Sequence, residues 1–216
     1  MIINKRNSIY GTWEYLLKRI CDLTLIFISL PFLIPLFSLI AIAIKLESKG
    51  PVFFKQKRAG IDCIPFECYK FRSMYANADE SVHREHIKEY VSGKLDIKTD
   101  VKLLHDKRVT RVGKFLRKTS LDEFAQLINV VKGEMSLVGP RPLPLYEVDQ
   151  FSLWHSERFL VFPGMTGVWQ VYGRGRVTFD DQLRMDISYI RNWSIWLDIR
   201  LLIQTVPAVL LAKGAA

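Results

Sequence analysis

Two adjacent acids, Asp122 and Glu123, follow Thr119-Ser120-Leu121 and precede apolar residues at Phe124, Leu127, Ile128 and Val131. That spacing is helical. Ser120, three residues before Glu123, has the form of a capping box, and Gly133 is a natural stop. The pattern predicts a helix from near Ser120 to Gly133 with Asp122 in its first turn. A helix N-terminus keeps such an acid ionised, and an ionised carboxylate is a nucleophile toward phosphorus. The same helix end attracts phosphate. Neighbouring residues do not share a helical face, so the two acids would have different roles. Taken alone, the motif also reads as ordinary helix capping.

Four cations stand near this motif or near Gly and Pro turns. Arg117 precedes the predicted helix, and Arg141 is locked between Pro140 and Pro142. Rigid presentation suits bidentate recognition of phosphate by a guanidinium. Lys70 and Arg72 flank Phe71 on a predicted strand. Any one of these side chains also reads as a solvated charge; their grouping around a candidate nucleophile is what favours phosphate chemistry. The phosphate loop of nucleotide-binding proteins and the Gly-x-Gly-x-x-Gly dinucleotide fingerprint are both missing from the sequence. So is the nucleophile elbow of serine hydrolases.

The chain has 216 residues, enough for one domain with an appendage. Its formal net charge of +9 points to a polyanionic partner, among which an anionic lipid surface and a phosphorylated substrate are the candidates. A soluble nucleic-acid binder is disfavoured, because no aromatic and basic binding motif is present. Cys21, Cys63 and Cys68 form no paired spacing, and His83, His86, His105 and His155 do not join them in a compact zinc pattern. They read as reduced thiols facing the cytosol.

From Leu23 to Ile44 there is no charged residue. This run is long enough to span a bilayer as a helix, and too long for a signal peptide's apolar core. A single transmembrane helix is the simplest reading. Both flanks are basic, however: Lys18 and Arg19 before, Lys45, Lys49, Lys55, Lys57 and Arg58 after. The positive-inside rule then places both ends in the cytoplasm. Pro31 and Pro35 interrupt the middle, where each removes a backbone donor and favours a bend. A re-entrant helix satisfies both facts, with Ser29 and Ser38 available to the carbonyls freed by the prolines.

Beyond Gly50-Pro51, residues 52–56 and 66–71 read as two strands of a hairpin. Residues 76–107 read as a helix followed by a loop. Two loops rich in Gly, Pro and Arg follow the acidic helix: Val138-Gly139-Pro140-Arg141-Pro142, and Phe162-Pro163-Gly164-Met165-Thr166-Gly167 leading to Trp169 and Gln170 and to Gly173-Arg174-Gly175-Arg176. Thr178 opens a further helix through Leu183, Ile187 and Ile190 that carries Arg184, Asp186 and Arg191. The stretch from Trp193 to Leu211 reads as an interfacial segment. The expected fold is α+β and mainly helical, divided into a membrane anchor (1–49), a cytosolic catalytic domain (50–197) and a C-terminal interfacial amphipathic segment (198–216).

These residues resemble the bacterial sugar transferase family, the monotopic phosphoglycosyl transferases, over nearly the whole chain. The most specific stretch is Arg117-Lys118-Thr119-Ser120-Leu121-Asp122-Glu123, continued from Gln126 to Gly139-Pro140-Arg141-Pro142. Pro163 to Gln170 and Leu46 to Phe53 add to it. The resemblance implies that Asp122 attacks the sugar-bearing phosphorus of a nucleoside diphosphate sugar, with uridine the family's usual nucleoside. Nucleoside monophosphate leaves, and polyprenyl phosphate then takes the phosphosugar. It also implies a Mg²⁺ near Asp122, a role for Glu123 in proton transfer or metal positioning, and phosphate binding by Arg117 and Arg141, with Lys70 on the matching strand. The location implied is the cytoplasmic face of a bacterial inner membrane, where anionic lipid is a partner and surface polysaccharide or lipopolysaccharide assembly begins. Ile34 stands before Pro35 where many members have Ser; Ala59 and Phe162 replace a usual Pro and a usual basic residue. The chain resembles the short, catalytic-domain-only form. The competing reading is a non-enzymatic basic membrane adaptor that retains the scaffold.

Overall fold

A 36-residue helix, α1 (Thr12–Glu47), leads the chain. The computed structural model describes residues 11–75, 108–149, 151, 153–173 and 177–210. The helix and loop expected over 76–107, and the Arg-rich loop at 174–176, lie outside the described residues. At a rise of 1.5 Å per residue α1 is about 54 Å long, more than the roughly 30 Å hydrocarbon core of a bilayer. It is the one described helix long and apolar enough to cross a membrane.

Pro31 and Pro35 both sit inside α1, and the helical element continues through them. The carbonyls that lose a helical donor are those of Phe27 and Pro31, four residues earlier. The two serines do not serve them: Ser29 Oγ donates to Ile26 O (2.8 Å) and Ser38 Oγ to Ile34 O (2.9 Å). Each serine reaches back three or four residues along its own turn, and that geometry puts the freed carbonyls one to three residues out of place.

One face of α1 is apolar and exposed, including Leu25, Phe27, Ile28, Phe32, Ile34 and Leu39. The opposite stripe packs on the rest of the protein: Lys18, Asp22, Ile26, Ile40 and Ile44 are buried. Ile26 joins Cys68, Leu127, Val130 and Met135 in one core cluster. Ile40 and Ile44 join Phe71, Leu116 and Ala125 in a second. A third cluster, Val138, Val161, Tyr189, Ile190 and Leu201, lies around the C-terminal helices. Helix α1 is therefore part of the core.

The expected hairpin is present. Strands β1 (Phe53–Ala59) and β2 (Pro65–Phe71) pair antiparallel, with Phe53 opposite Phe71 and Ala59 opposite Pro65. Helix α2 (Arg111–Lys118) follows, started by Thr110, whose Oγ1 accepts from Gly113 N. A 3₁₀ turn, Leu121–Gln126, runs into α3 (Leu127–Lys132), which ends at Gly133 with φ 80°. The short strand β3 (Ser136–Val138) leads through the Pro-Arg-Pro turn to α4 (Leu145–Val148) and a 3₁₀ segment, Leu153–Leu160. Strand β4 (Gly164–Thr166) pairs parallel to β3, with Ser136 opposite Gly164 and Val138 opposite Thr166. Helices α5 (Val168–Tyr172), α6 (Phe179–Arg191) and α7 (Ile195–Leu210) complete the fold. Thr178 caps α6 as expected, accepting from Asp181 N. Residues 198–210 of the expected C-terminal segment form the body of α7, whose Asp198 and Leu201 are buried while Trp196, Ile199, Ile203 and Val206 are exposed; 211–216 lie outside the described residues.

The β3 and β4 chains approach so closely that only glycine fits at the contact. A Cβ on Gly164 would lie 2.0 Å from Gly139 N. Gly164→Ala should therefore destabilise the folded protein by about 1–3 kcal/mol, the usual result of overpacking. Urea unfolding in detergent, followed by tryptophan fluorescence, measures this. A change below about 0.5 kcal/mol, the scatter of ordinary surface substitutions, would contradict the close approach.

Candidate active site

The site is assembled from β2, the 3₁₀ turn and the loop after β3. Ser120 is not the cap that the sequence pattern implies. Its φ of 56° is left-handed and its side chain makes no capping hydrogen bond. A capping serine needs extended backbone. Here Ser120 turns the chain from α2 directly into the next helical segment, its amide donating to Arg117 O (3.1 Å). Left-handed backbone is unusual for a residue with a side chain, and it lies two residues before Asp122.

Released from a capping box, Glu123 points to cations instead. Arg141 grips it bidentately, Nη2 to Oε1 at 2.5 Å and Nη1 to Oε2 at 3.1 Å. Lys70 Nζ donates to Oε1 at 2.8 Å. About a fifth of each of these side chains is exposed. Burial acts to raise the Glu123 pKa, but Arg141 and Lys70 outweigh it and hold the carboxyl well below its usual range. Glu123 is an anion held in place.

Asp122 is 8% exposed. Burial pushes its carboxyl up from the ordinary range, and the charge of Glu123 adds to this; Lys70, Arg117 and Arg141 pull it down. The two neighbours thus have opposite character: Glu123 is held ionised, whereas burial raises the Asp122 pKa, against the expectation that a helix start favours its charge. Asp122 is a poorly hydrated carboxylate facing three cations, and Glu123 is the counter-ion that gathers two of them.

Buried Asn129 fixes these parts against each other. Its Oδ1 accepts from Tyr69 N (3.0 Å), and its Nδ2 donates to Glu67 O (2.6 Å) and Glu134 Oε2 (2.7 Å). The side chain replaces a missing strand partner along β2, so the strand carrying Lys70 is joined to the helix following Asp122. Arg117 is oriented by Ser73, whose Oγ accepts from its Nε at 2.9 Å.

Arg72 stands apart from the other candidate cations. It is buried, and its guanidinium donates to Lys49 O, Ser48 O and Ser48 Oγ at 2.8–2.9 Å. It closes the end of α1 and is not directed at the acids. Lys70, Arg117 and Arg141 are the three cations that the fold brings to Asp122. Asn129 and Arg158 escaped the sequence reading, and Arg58, counted there in the basic flank of the apolar run, is buried and donates to Pro142 O. Arg158 pairs with Asp186, which shares the helical face of Leu183 and Ile190 at three- and four-residue spacing. That acid on an apolar face was the available signal.

Among the described residues no three His, Cys, Asp or Glu cluster as a metal site. Magnesium does not need such a cage. It binds through one or two carboxylates with water and substrate phosphates completing the shell. Asp122 fits that donor set, since Glu123 is engaged by Arg141 and Lys70.

The sequence profile of the bacterial sugar transferases matches residues 13–212. The chain is 39% identical over 215 residues to the UDP-galactose-lipid carrier transferase of Erwinia amylovora, covering all of this chain and 45% of that protein. It is 38% identical over 198 residues to the exopolysaccharide production protein ExoY of Sinorhizobium fredii, covering 92% of this chain and 87% of that protein. It is also 38% identical over 206 residues to the UDP-glucose:undecaprenyl-phosphate glucose-1-phosphate transferase of Caulobacter vibrioides, covering 92% and 71%. The chain spans less than half the length of the first of these relatives. A profile match along nearly the whole chain places this protein in the bacterial sugar transferase family.

Proposed function

We propose that this protein transfers a phosphosugar from a nucleoside diphosphate sugar, a UDP-sugar by the names of its relatives, to undecaprenyl phosphate. The observation that carries the reading is the environment of Asp122: a buried carboxylate facing Lys70, Arg117 and Arg141 beside an acid that is already ion-paired. A carboxylate with little hydration is a better nucleophile, and the cations attract a diphosphate and stabilise charge on its oxygens.

The reaction has two displacements. A carboxylate oxygen of Asp122 attacks the sugar-bearing phosphorus, the bridging P–O bond of the diphosphate breaks, and nucleoside monophosphate leaves with the bonding electrons. The phosphosugar is then an acyl phosphate on Asp122. An oxygen of undecaprenyl phosphate attacks the same phosphorus, and the Asp122 carboxylate is released with undecaprenyl diphosphate sugar. Glu123, kept ionised, orients Arg141 and Lys70. Mg²⁺ held by Asp122 and the donor would supply neutralisation of the diphosphate charge.

The acceptor is a lipid, so the site must meet a membrane. We infer that α1 embeds from one face with both ends in the cytoplasm, its proline-interrupted middle deepest. Both ends are tied to the same globular part. Near the start, Lys18 Nζ meets Asp198 (2.5 Å) and Val138 O (3.0 Å). At the end, Glu47 accepts from Arg111 N (2.6 Å) and Val112 N (2.9 Å). A helix that crossed straight through would carry one of these contacts to the far side. The exposed face of α7, with Trp196, Ile199, Ile203 and Val206, suits the interface beside it. In cells this is the cytoplasmic face of the inner membrane, at the first lipid-linked step of surface polysaccharide assembly.

Release of nucleoside monophosphate from a panel of nucleotide sugars, with and without undecaprenyl phosphate, tests the activity. Asp122→Asn should lower turnover about a thousandfold or more and leave no phosphosugar on the protein after incubation with donor alone. Near-normal turnover in folded Asp122→Asn protein would refute the mechanism. Arg141→Lys keeps charge but loses the planar fork, and turnover should fall about 10- to 100-fold, equal to 1.4–2.8 kcal/mol of barrier. Full activity would make Arg141 a bystander. For topology, single cysteines at position 4 and just after Lys49, in a background without exposed Cys63, should be equally protected from an impermeant reagent in intact cells. Labelling of the position 4 site alone would show that α1 spans.

A further inference from the structure

The Pro140-Arg141-Pro142 turn is held by a set of contacts that the reaction does not use. Alternate residues here are proline, so the segment has few amide donors of its own and its carbonyls need donors from elsewhere. Four consecutive carbonyls find them on three parts of the fold: β1, β4 and the 3₁₀ segment Leu153–Leu160. Pro140 O accepts from Gly164 N (2.8 Å) and Leu143 O from Ala59 N (2.9 Å). Between them, Arg141 O accepts from Arg158 Nη2 (2.7 Å) and Pro142 O from Arg58 Nη1 (2.5 Å). Arg58 is braced by Gln56, whose Oε1 accepts from its Nε and Nη2.

Arg158 is the unusual member. It is almost wholly buried, and its Nη2 also donates to Asp186 Oδ2 at 2.8 Å. Its Nη1 is buried without a hydrogen-bond partner, and the rings of Phe151 and Phe159 lie 5.8 and 5.9 Å from its Cζ. Asp186, on α6, is 1% exposed. A buried ion pair is weak evidence for stability, since well-packed apolar residues often serve as well or better. A guanidinium kept in such surroundings, with one nitrogen on Asp186 and on the backbone of Arg141, calls for a positional reason.

We propose that Arg158, fixed by Asp186, is a positioning residue for Arg141: it pins the Arg141 carbonyl and so sets where the guanidinium meets Glu123 and the donor diphosphate. The assignment rests on the transferase reading for its kinetic consequence, and on the hydrogen bonds alone for its structural one. Arg158 touches neither of the two acids in the described hydrogen bonds and ion pairs; its effect passes through the backbone of residue 141.

The test is a double-mutant cycle with a separate structural readout. Replacing both charges together, in Arg158→Met with Asp186→Leu, avoids leaving one buried charge alone. Turnover should fall about 10- to 100-fold, as for a misplaced reacting group, and Arg158→Lys should recover part of the loss. In an Arg141→Lys background the same pair of changes should cost less than about twofold more, because residues acting through one another are not additive. Multiplicative losses would mean that Arg158 acts independently of Arg141, and would overturn the proposal. Hydrogen exchange in the same double variant reads the clamp without activity: the amides of Ala59 and Gly164, which bond to the two ends of the turn, should exchange at least about tenfold faster. Unchanged exchange would also overturn it. A wild-type protein that releases no nucleoside monophosphate would count against the transferase reading, and the exchange measurement would still decide this one.

Discussion

Lys18 and Asp22 are buried charges on a largely apolar helix, and the partners they require organise the rest of the molecule. Removing one partner of such a pair typically costs about 3–5 kcal/mol. Asp22 accepts from Ser136 Oγ (2.7 Å) and Leu137 N (3.3 Å). Lys18 donates to Val138 O and to Asp198, whose other oxygen accepts from the Tyr189 hydroxyl at 2.7 Å. Three successive residues of β3 are thereby fixed to α1. That strand runs straight into Gly139-Pro140-Arg141. The position of the Arg141 turn relative to α1 is set by these few bonds.

The same helix fixes the acids. Arg19 donates to Val130 O and Val131 O at the end of α3, and Ile26 packs among Leu127 and Val130. Asn129 joins α3 to the strand carrying Lys70. Groups attached to one rigid helix keep their separations better than groups on a flexible linker, and a shift of about 1 Å at a reacting centre can cost a hundredfold in rate.

Much of the local structure was legible. The hairpin of β1 and β2, the helix after residue 120, its stop at Gly133 and the cap at Thr178 follow from periodicity and turn chemistry, which act over a few residues. Ser120 was misread because Ser-x-x-Glu describes a cap only where the backbone is extended, and the preceding helix leaves no room for that. The parallel pair β3 and β4 was not legible at all. Each strand is three residues long, and they meet through glycines distant in sequence. Arg72 looked equivalent to Lys70 two residues away, yet it lies past the last residue of β2 and closes the end of α1.

The sequence by itself determined the chemical inventory: an acid pair at a helix start, an arginine between prolines, cations nearby, and an apolar segment with basic flanks. These are properties of residue type and short spacing, and they suffice to identify the family. Only the tertiary structure decided the pairings. Charge on Lys70, Arg72, Arg117 and Arg141 is the same in the sequence, but burial and distance give three of them to the acids and one to a helix end. Asp122 and Glu123 are chemically near equivalents, and the fold makes one a desolvated carboxylate and the other a bound counter-ion. Electrostatic energy depends on separation and surroundings in three dimensions, and neither is written in the order of residues along a chain.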